Sequence, residues 1–143
     1  MTYATQQDLI DRFGERELIQ RTDRTNRPAT TVDATVVTRH LTDATATVDG
    51  YLAKKYTLPL ASTPEILVKI TADIARYFLH GNTAEKGDPV RDAYDQAVGW
   101  LRDVSKGHVV LEDGGEAAAQ PGGGSVSFTA PDRVMSRDSL KGM

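Results

Sequence analysis

The 143-residue sequence contains no cysteine. Disulfides, cysteine-bearing zinc sites, iron–sulfur clusters and thiol catalysis are excluded together, and the chain suits a reducing compartment. Aromatics are scarce at 6%, so a core must rest on Leu, Ile, Val and Ala. No apolar run approaches the ~20 residues of a membrane span. The opening MTYATQQDLIDRF is too polar and acidic to read as a signal peptide. Neither charge dominates: 17 Lys and Arg against 20 Asp and Glu leave −3, which argues against a protein that coats nucleic acid. HExxH, GxSxG, phosphate-loop and GxGxxG patterns are all missing.

What the sequence does have is glycine, unevenly placed. Six of its twelve glycines lie after residue 111, at Gly114, Gly115, Gly122, Gly123, Gly124 and Gly142. The chain therefore divides into a globular part, residues 1–111, and a Gly-rich tether with an extended arm, residues 112–143.

Helical signals fill the globular part, which predicts an all-α fold, a small bundle of four or five helices. Thr5 with Asp8 three residues on resembles a capping box, Leu9, Ile10 and Phe13 give an apolar face, and Gly14 ends the helix. A second short helical turn spans Glu15 to Arg21. Asp33 opens the longest helix, with Val36, Val37, Leu41, Ala44, Val48, Tyr51 and Leu52 on one stripe and Pro59 closing the segment. Thr63 as cap and Pro64 at the first helical position start the next. Leu67, Ile70, Ile74, Ala75 and Phe78 form its inner face, and Lys69, Asp73, Arg76 and His80 its outer face. Asp88–Pro89 starts the last helix, lined by Val90, Ala93, Tyr94, Ala97, Leu101 and Val104 and ended by Gly107. HVVL at 108–111 reads as a short strand or an extended exit. A bundle of this size is expected to be marginally stable alone, and a partner adds stability by mass action.

Catalytic chemistry finds little purchase. His40, His80 and His108 are dispersed, so single surface or helix-end histidines are the default over a metal site. Asp88, Asp92 and Asp95 run down one helix side but are interleaved with Arg91 and followed by Arg102, as on a solvated, charge-laced face. The expectation is no enzymatic activity, no cofactor and no metal. Arg21, Arg24 and Arg27 cluster in RTDRTNRPATT and are candidates for DNA or subunit contact, although Asp23 lies among them and no aromatic is interleaved. Lys54 and Lys55 are similarly ambiguous. In the arm, Val126 and Phe128 alternate with polar residues at a strand period, a short β segment beyond the GGGS hinge. A tethered extended segment can add a strand to another protein's sheet edge. Arg133 and Arg137 offer charge pairing and Met135 and Leu140 pocket anchors, so Val126, Phe128, Arg133, Met135, Arg137 and Leu140 form the predicted partner-binding set. The competing fate is a strand folded back on its own bundle.

Four stretches, YATQQDLIDRFGERELIQRTD, DATATVDGYLAKKYTLPL, DIARYFLHG and SRDSLKGM, together resemble the Mu-like phage and prophage head–tail adaptor proteins. The resemblance spans nearly the whole chain in the expected order, and departs from it in the low-complexity insert EDGGEAAAQPGGGS. It implies a small helical structural protein without enzymatic activity or cofactor. Similar adaptors form a ring, usually of twelve copies, beneath the portal protein. The ring extends the DNA channel, docks the next connector or tail protein, and sends its tails onto the portal or a neighbouring subunit. The implied location is the virion's head–tail interface, after assembly in the bacterial cytoplasm. Genomic DNA would pass without specific binding, which suits a mildly acidic protein. Tyr51, Leu52, Tyr56, Leu58, Pro59 and Leu60 match the family signature and read physically as a packed corner between two helices. A ring larger than a dimer needs two different patches per subunit; the outer faces of the 33–55 and 64–80 helices, with Arg76 and Asp73, are the candidates. The alternative function is a DNA-binding packaging or regulatory factor resting on Arg21, Arg24 and Arg27.

Overall fold

The computed structural model describes residues 1–111 as five α-helices and one 3-10 turn. Two short helices form an N-terminal hairpin: α1 (Gln6–Phe13) and α2 (Glu15–Thr22). Three longer ones follow: α3 (Ala34–Leu52), α4 (Glu65–His80) and α5 (Pro89–Lys106). Among the described residues the class is all-α, with no strand; HVVL at 108–111 is an irregular exit. The proposed β segment at 126–129 lies outside the described residues.

Local chemistry sets most of the helix starts. The Thr5 hydroxyl accepts the Asp8 N–H at 3.3 Å, and the Asp8 carboxylate accepts the Thr5 N–H at 2.7 Å, closing the predicted capping box. Asp33 Oδ1 accepts from the Thr35 and Val36 N–H groups at 2.9 and 3.3 Å. Asp88 Oδ1 accepts from Val90 N–H at 2.9 Å, with Pro89 at the first helical position, where its missing donor costs nothing. Gly14 sits at φ 89° between α1 and α2, a backbone state that side chains with a Cβ rarely adopt. Gly107 closes α5 in the left-handed region at φ 82°, where the His108 N–H returns to the Asp103 carbonyl at 2.9 Å.

Two boundaries differ from expectation. Helix α4 begins at Glu65, because Pro64 is extended at ψ 143° and occupies the cap position itself. Helix α3 ends at Leu52, seven residues before Pro59. The Leu52 carbonyl accepts both the Lys55 and Tyr56 N–H groups at 2.9 Å, so a turn closes the helix before the proline is reached.

The core is assembled around α4, which packs against all four other helices. Residues 70–75 are buried on every side, Thr71 and Asp73 included. Leu9 of α1, Leu18 of α2, Val37 and Val48 of α3, Leu67 and Ile74 of α4, and Leu101 and Val104 of α5 are essentially inaccessible to solvent. The expected outer face of α4 is therefore mostly an inner one. Asp73 is buried, Arg76 is three-quarters buried, and the His80 side chain is only 9% exposed; only Lys69 stays outside. Periodicity marks one apolar stripe on a helix, but it cannot see a hairpin that covers the opposite side through polar contacts. Arg76 and Asp73 are thus not surface contacts of the kind expected between subunits.

Candidate functional site

Glu17 of α2 accepts two hydrogen bonds from Arg76 of α4, at 2.6 and 2.8 Å, and a third contact from His80 Nε2 at 2.9 Å. The Arg76 guanidinium lies over the Phe13 ring, 4.3 Å from its centroid. Burial pushes the Glu17 carboxyl up, but the hydrogen bonds from Arg76 and His80 outweigh it and hold the group below its ordinary value. Further ties run from Arg12 to Glu65 at 3.1 Å, from Arg21 to the Thr83 hydroxyl at 3.2 Å, and from the Tyr3 hydroxyl to Asp49. These groups bind the hairpin to the three-helix body. His80 is a buried tether here, not a surface histidine.

The predicted family-signature corner is one structural unit. Leu52 and Tyr56 are buried, Tyr51, Leu58 and Leu60 are half-buried against the core, and Pro59 is exposed. The Tyr56 hydroxyl accepts the Leu111 N–H at 2.8 Å, which pins the end of the described chain to this corner. Leu58, Pro59 and Leu60 also line a depression of about 320 Å³ with Met1, Tyr3, Asp49 and Thr63. The larger depression, about 430 Å³, is open and lined by His40, Asp43, Thr47, Tyr77, Phe78, Gly81 and Asn82. Tyr77 stacks on Tyr94 of α5 at 4.1 Å between centroids, and Arg91 donates to the Tyr77 hydroxyl at 2.9 Å. His40 Nδ1 is buried without a hydrogen-bond partner.

The arginine segment between α2 and α3 is built on Asp23. Its carboxylate accepts the backbone N–H groups of Thr25, Asn26, Thr30 and Thr31 at 2.9–3.1 Å, and the Asn26 side-chain amide at 3.0 Å. The Asn26 and Thr30 N–H groups and the Asn26 amide hold this carboxyl far below the usual carboxylate range. Arg21 is spent on Thr83, whereas Arg24 and Arg27 are exposed with no ion pair among the described residues.

Several of the residues considered for catalysis have structural partners. Asp88 caps α5, Asp95 pairs with Arg91 at 3.3 Å, and His108 lies 3.7 Å from Asp103. Among the described residues no group of three or more acids or histidines is placed to hold a metal ion, and no helix is long and apolar enough to cross a membrane. The six predicted arm residues, Val126, Phe128, Arg133, Met135, Arg137 and Leu140, lie outside the described residues. Sequence reasoning missed two arrangements, the Glu17–Arg76–His80 cluster and the Tyr77–Tyr94 stack. Both join residues on different helices, and neither leaves a local signature.

Comparison with known proteins then places the chain. Residues 3–130 match the family described as Bacteriophage Mu, Gp36. The Mu-like prophage FluMu protein gp36 of Haemophilus influenzae is 35% identical over 109 residues, 76% of this chain and 74% of that protein. Gene product J of Escherichia phage Mu is 32% identical over 126 residues, 86% of this chain and 85% of that protein. The chain belongs to the bacteriophage Mu Gp36 family and is a Mu-like phage protein.

Proposed function

We propose that this member of the Mu Gp36 family is a structural head–tail connector with no enzymatic role. It would act as a ring of twelve copies beneath the portal that extends the DNA channel and docks the next connector or tail protein. The observation that carries this reading is the family match across residues 3–130, which runs through both the bundle and most of the arm. The architecture supports it: the polar groups with chemical potential have structural work, Glu17, Arg76 and His80 holding α2 to α4, Asp88 capping α5, and Asp95 pairing with Arg91 along α5. The arm residues Val126, Phe128, Arg133, Met135, Arg137 and Leu140 are assigned to partner contact, with the portal preferred over a neighbouring adaptor.

Electron microscopy of the full chain mixed with its portal tests the assembly. A ring on the portal vertex is the expected image, and a portal with nothing attached overturns the reading. Deletion of residues 125–143 tests the arm separately. Portal co-purification is expected to disappear while the circular-dichroism spectrum stays helical, and undiminished binding removes the arm from the interface.

A further inference from the structure

The segment between α2 and α3 keeps its own acids away from its own bases. It carries Asp23 and Asp33, and α3 adds Asp43, all close in sequence to Arg24, Arg27 and Arg39. None of these arginines forms an ion pair among the described residues, and all three are exposed. For Asp23 and Asp33 the reason lies in where the carboxylates are used. Asp23 is filled by four backbone N–H groups and one side-chain amide, and Asp33 caps α3 through the Thr35 and Val36 N–H groups. Both negative charges face fixed N–H dipoles, and the guanidiniums are exposed without a carboxylate partner among the described residues. The Thr22 hydroxyl, which is fully buried, accepts the Asp33 N–H at 3.0 Å and anchors the far end of the loop to α2. Asp43, Arg24 and Arg39 all lie within electrostatic reach of His40, so the loop and the first half of α3 share one corner.

We propose that Arg24, Arg27 and Arg39 form a preorganised contact for the phosphate backbone of duplex DNA. The chemistry around them selects this ligand class. A protein interface needs buried aromatic or aliphatic anchors at its centre. The exposed surface of the loop and the first half of α3 is polar or small throughout, with Arg24, Arg27 and Arg39 beside the acids Asp33 and Asp43, and it holds no large aromatic or aliphatic anchor. Single-stranded nucleic acid needs aromatic faces for its bases, and the loop has none. Guanidiniums held on an ordered loop suit phosphate oxygens on a regular duplex. Because Asp23 has already ordered the loop, less conformational freedom is lost on contact. Such a contact carries no sequence preference, and it is weak enough to be compatible with a duplex that moves. It goes beyond the connector reading and does not depend on it.

The test is a two-dimensional amide NMR titration of the full chain with a duplex of about sixteen base pairs. At about 20 mM salt, shifts are expected within residues 23–43. Three phosphate contacts give a salt slope near −2.7, so affinity should fall about 500-fold by about 200 mM. The double variant Arg24→Gln with Arg27→Gln should flatten the slope by about 2, and its own amide spectrum reports whether it is folded. Arg24→Lys should retain binding. An absence of shifts at low salt, or shifts centred on other residues, overturns the proposal. So does an unchanged slope in the double variant. Equal shifts from inorganic phosphate at matched phosphate concentration would make this a free-anion site, and equal shifts from polyglutamate would make it an acidic-protein site; either result overturns it.

Discussion

At the residue scale, Glu17 is the position where one side chain holds two elements together. It joins α2 to α4 through Arg76 and His80, with all three side chains at least three-quarters buried. Glu17→Gln leaves the Arg76 charge three-quarters buried and without its carboxylate. Loss of hydrogen bonds to charged groups costs about 1.5–3 kcal/mol, read as a lower urea midpoint at pH 7. The pH dependence has a defined sign. The folded-state value of Glu17 is depressed, so its contribution is fully present above the ordinary carboxylate range near 4.5 and is lost as pH falls through the depressed value. Glu17→Gln should therefore cost most at neutral pH, and the gap to wild type should close under acid. A gap that stays constant from about pH 7 to about pH 3 would place the group outside the clamp. Sequence alone gives no hint of this arrangement, because Glu17 and Arg76 are 59 positions apart and the charge pattern of α4 reads as a solvated face.

At the scale of elements, the helix starts were legible and the wrapping was not. Thr5 with Asp8, Asp33, and Asp88 with Pro89 announce their helices because capping is a contact between residues two or three apart. Pro64 misleads because proline suits either the first helical position or the extended residue before it, and only ψ decides which. Of the corner from Tyr51 to Leu60, Leu52 and Tyr56 are buried as a core reading expects, whereas Pro59 is exposed and the turn closes at Leu52 rather than at Pro59. Gly14 shows how one position shapes two elements, since its N–H closes α1 on the Ile10 carbonyl at 2.8 Å and its backbone then opens α2. With φ 89° and ψ 143° it occupies a region that is costly for any residue with a Cβ. Gly14→Ala meets no steric obstacle there, so its effect isolates backbone strain. A loss of about 1–3 kcal/mol is expected, measured by chemical denaturation. An unchanged midpoint would mean that the hairpin turn relaxes without cost.

At the scale of the whole molecule, the described bundle is small, and much of what fastens its hairpin is polar. Such a unit has little stability in reserve, and any partner that binds only the folded state adds to it by mass action. The connector reading therefore makes a thermodynamic prediction that is independent of imaging. Portal present at 100 times its dissociation constant should stabilise the chain by about 2.7 kcal/mol, raising its melting temperature by several degrees. The rise should follow portal concentration and vanish when residues 125–143 are deleted. The same titration separates the two surfaces assigned here: charge-neutral replacement of Arg24 and Arg27 should leave the portal-induced shift intact while weakening duplex contact. If those replacements abolish the portal shift instead, the arginine corner belongs to the portal interface, and the assignment of that corner to DNA fails while the connector reading stands.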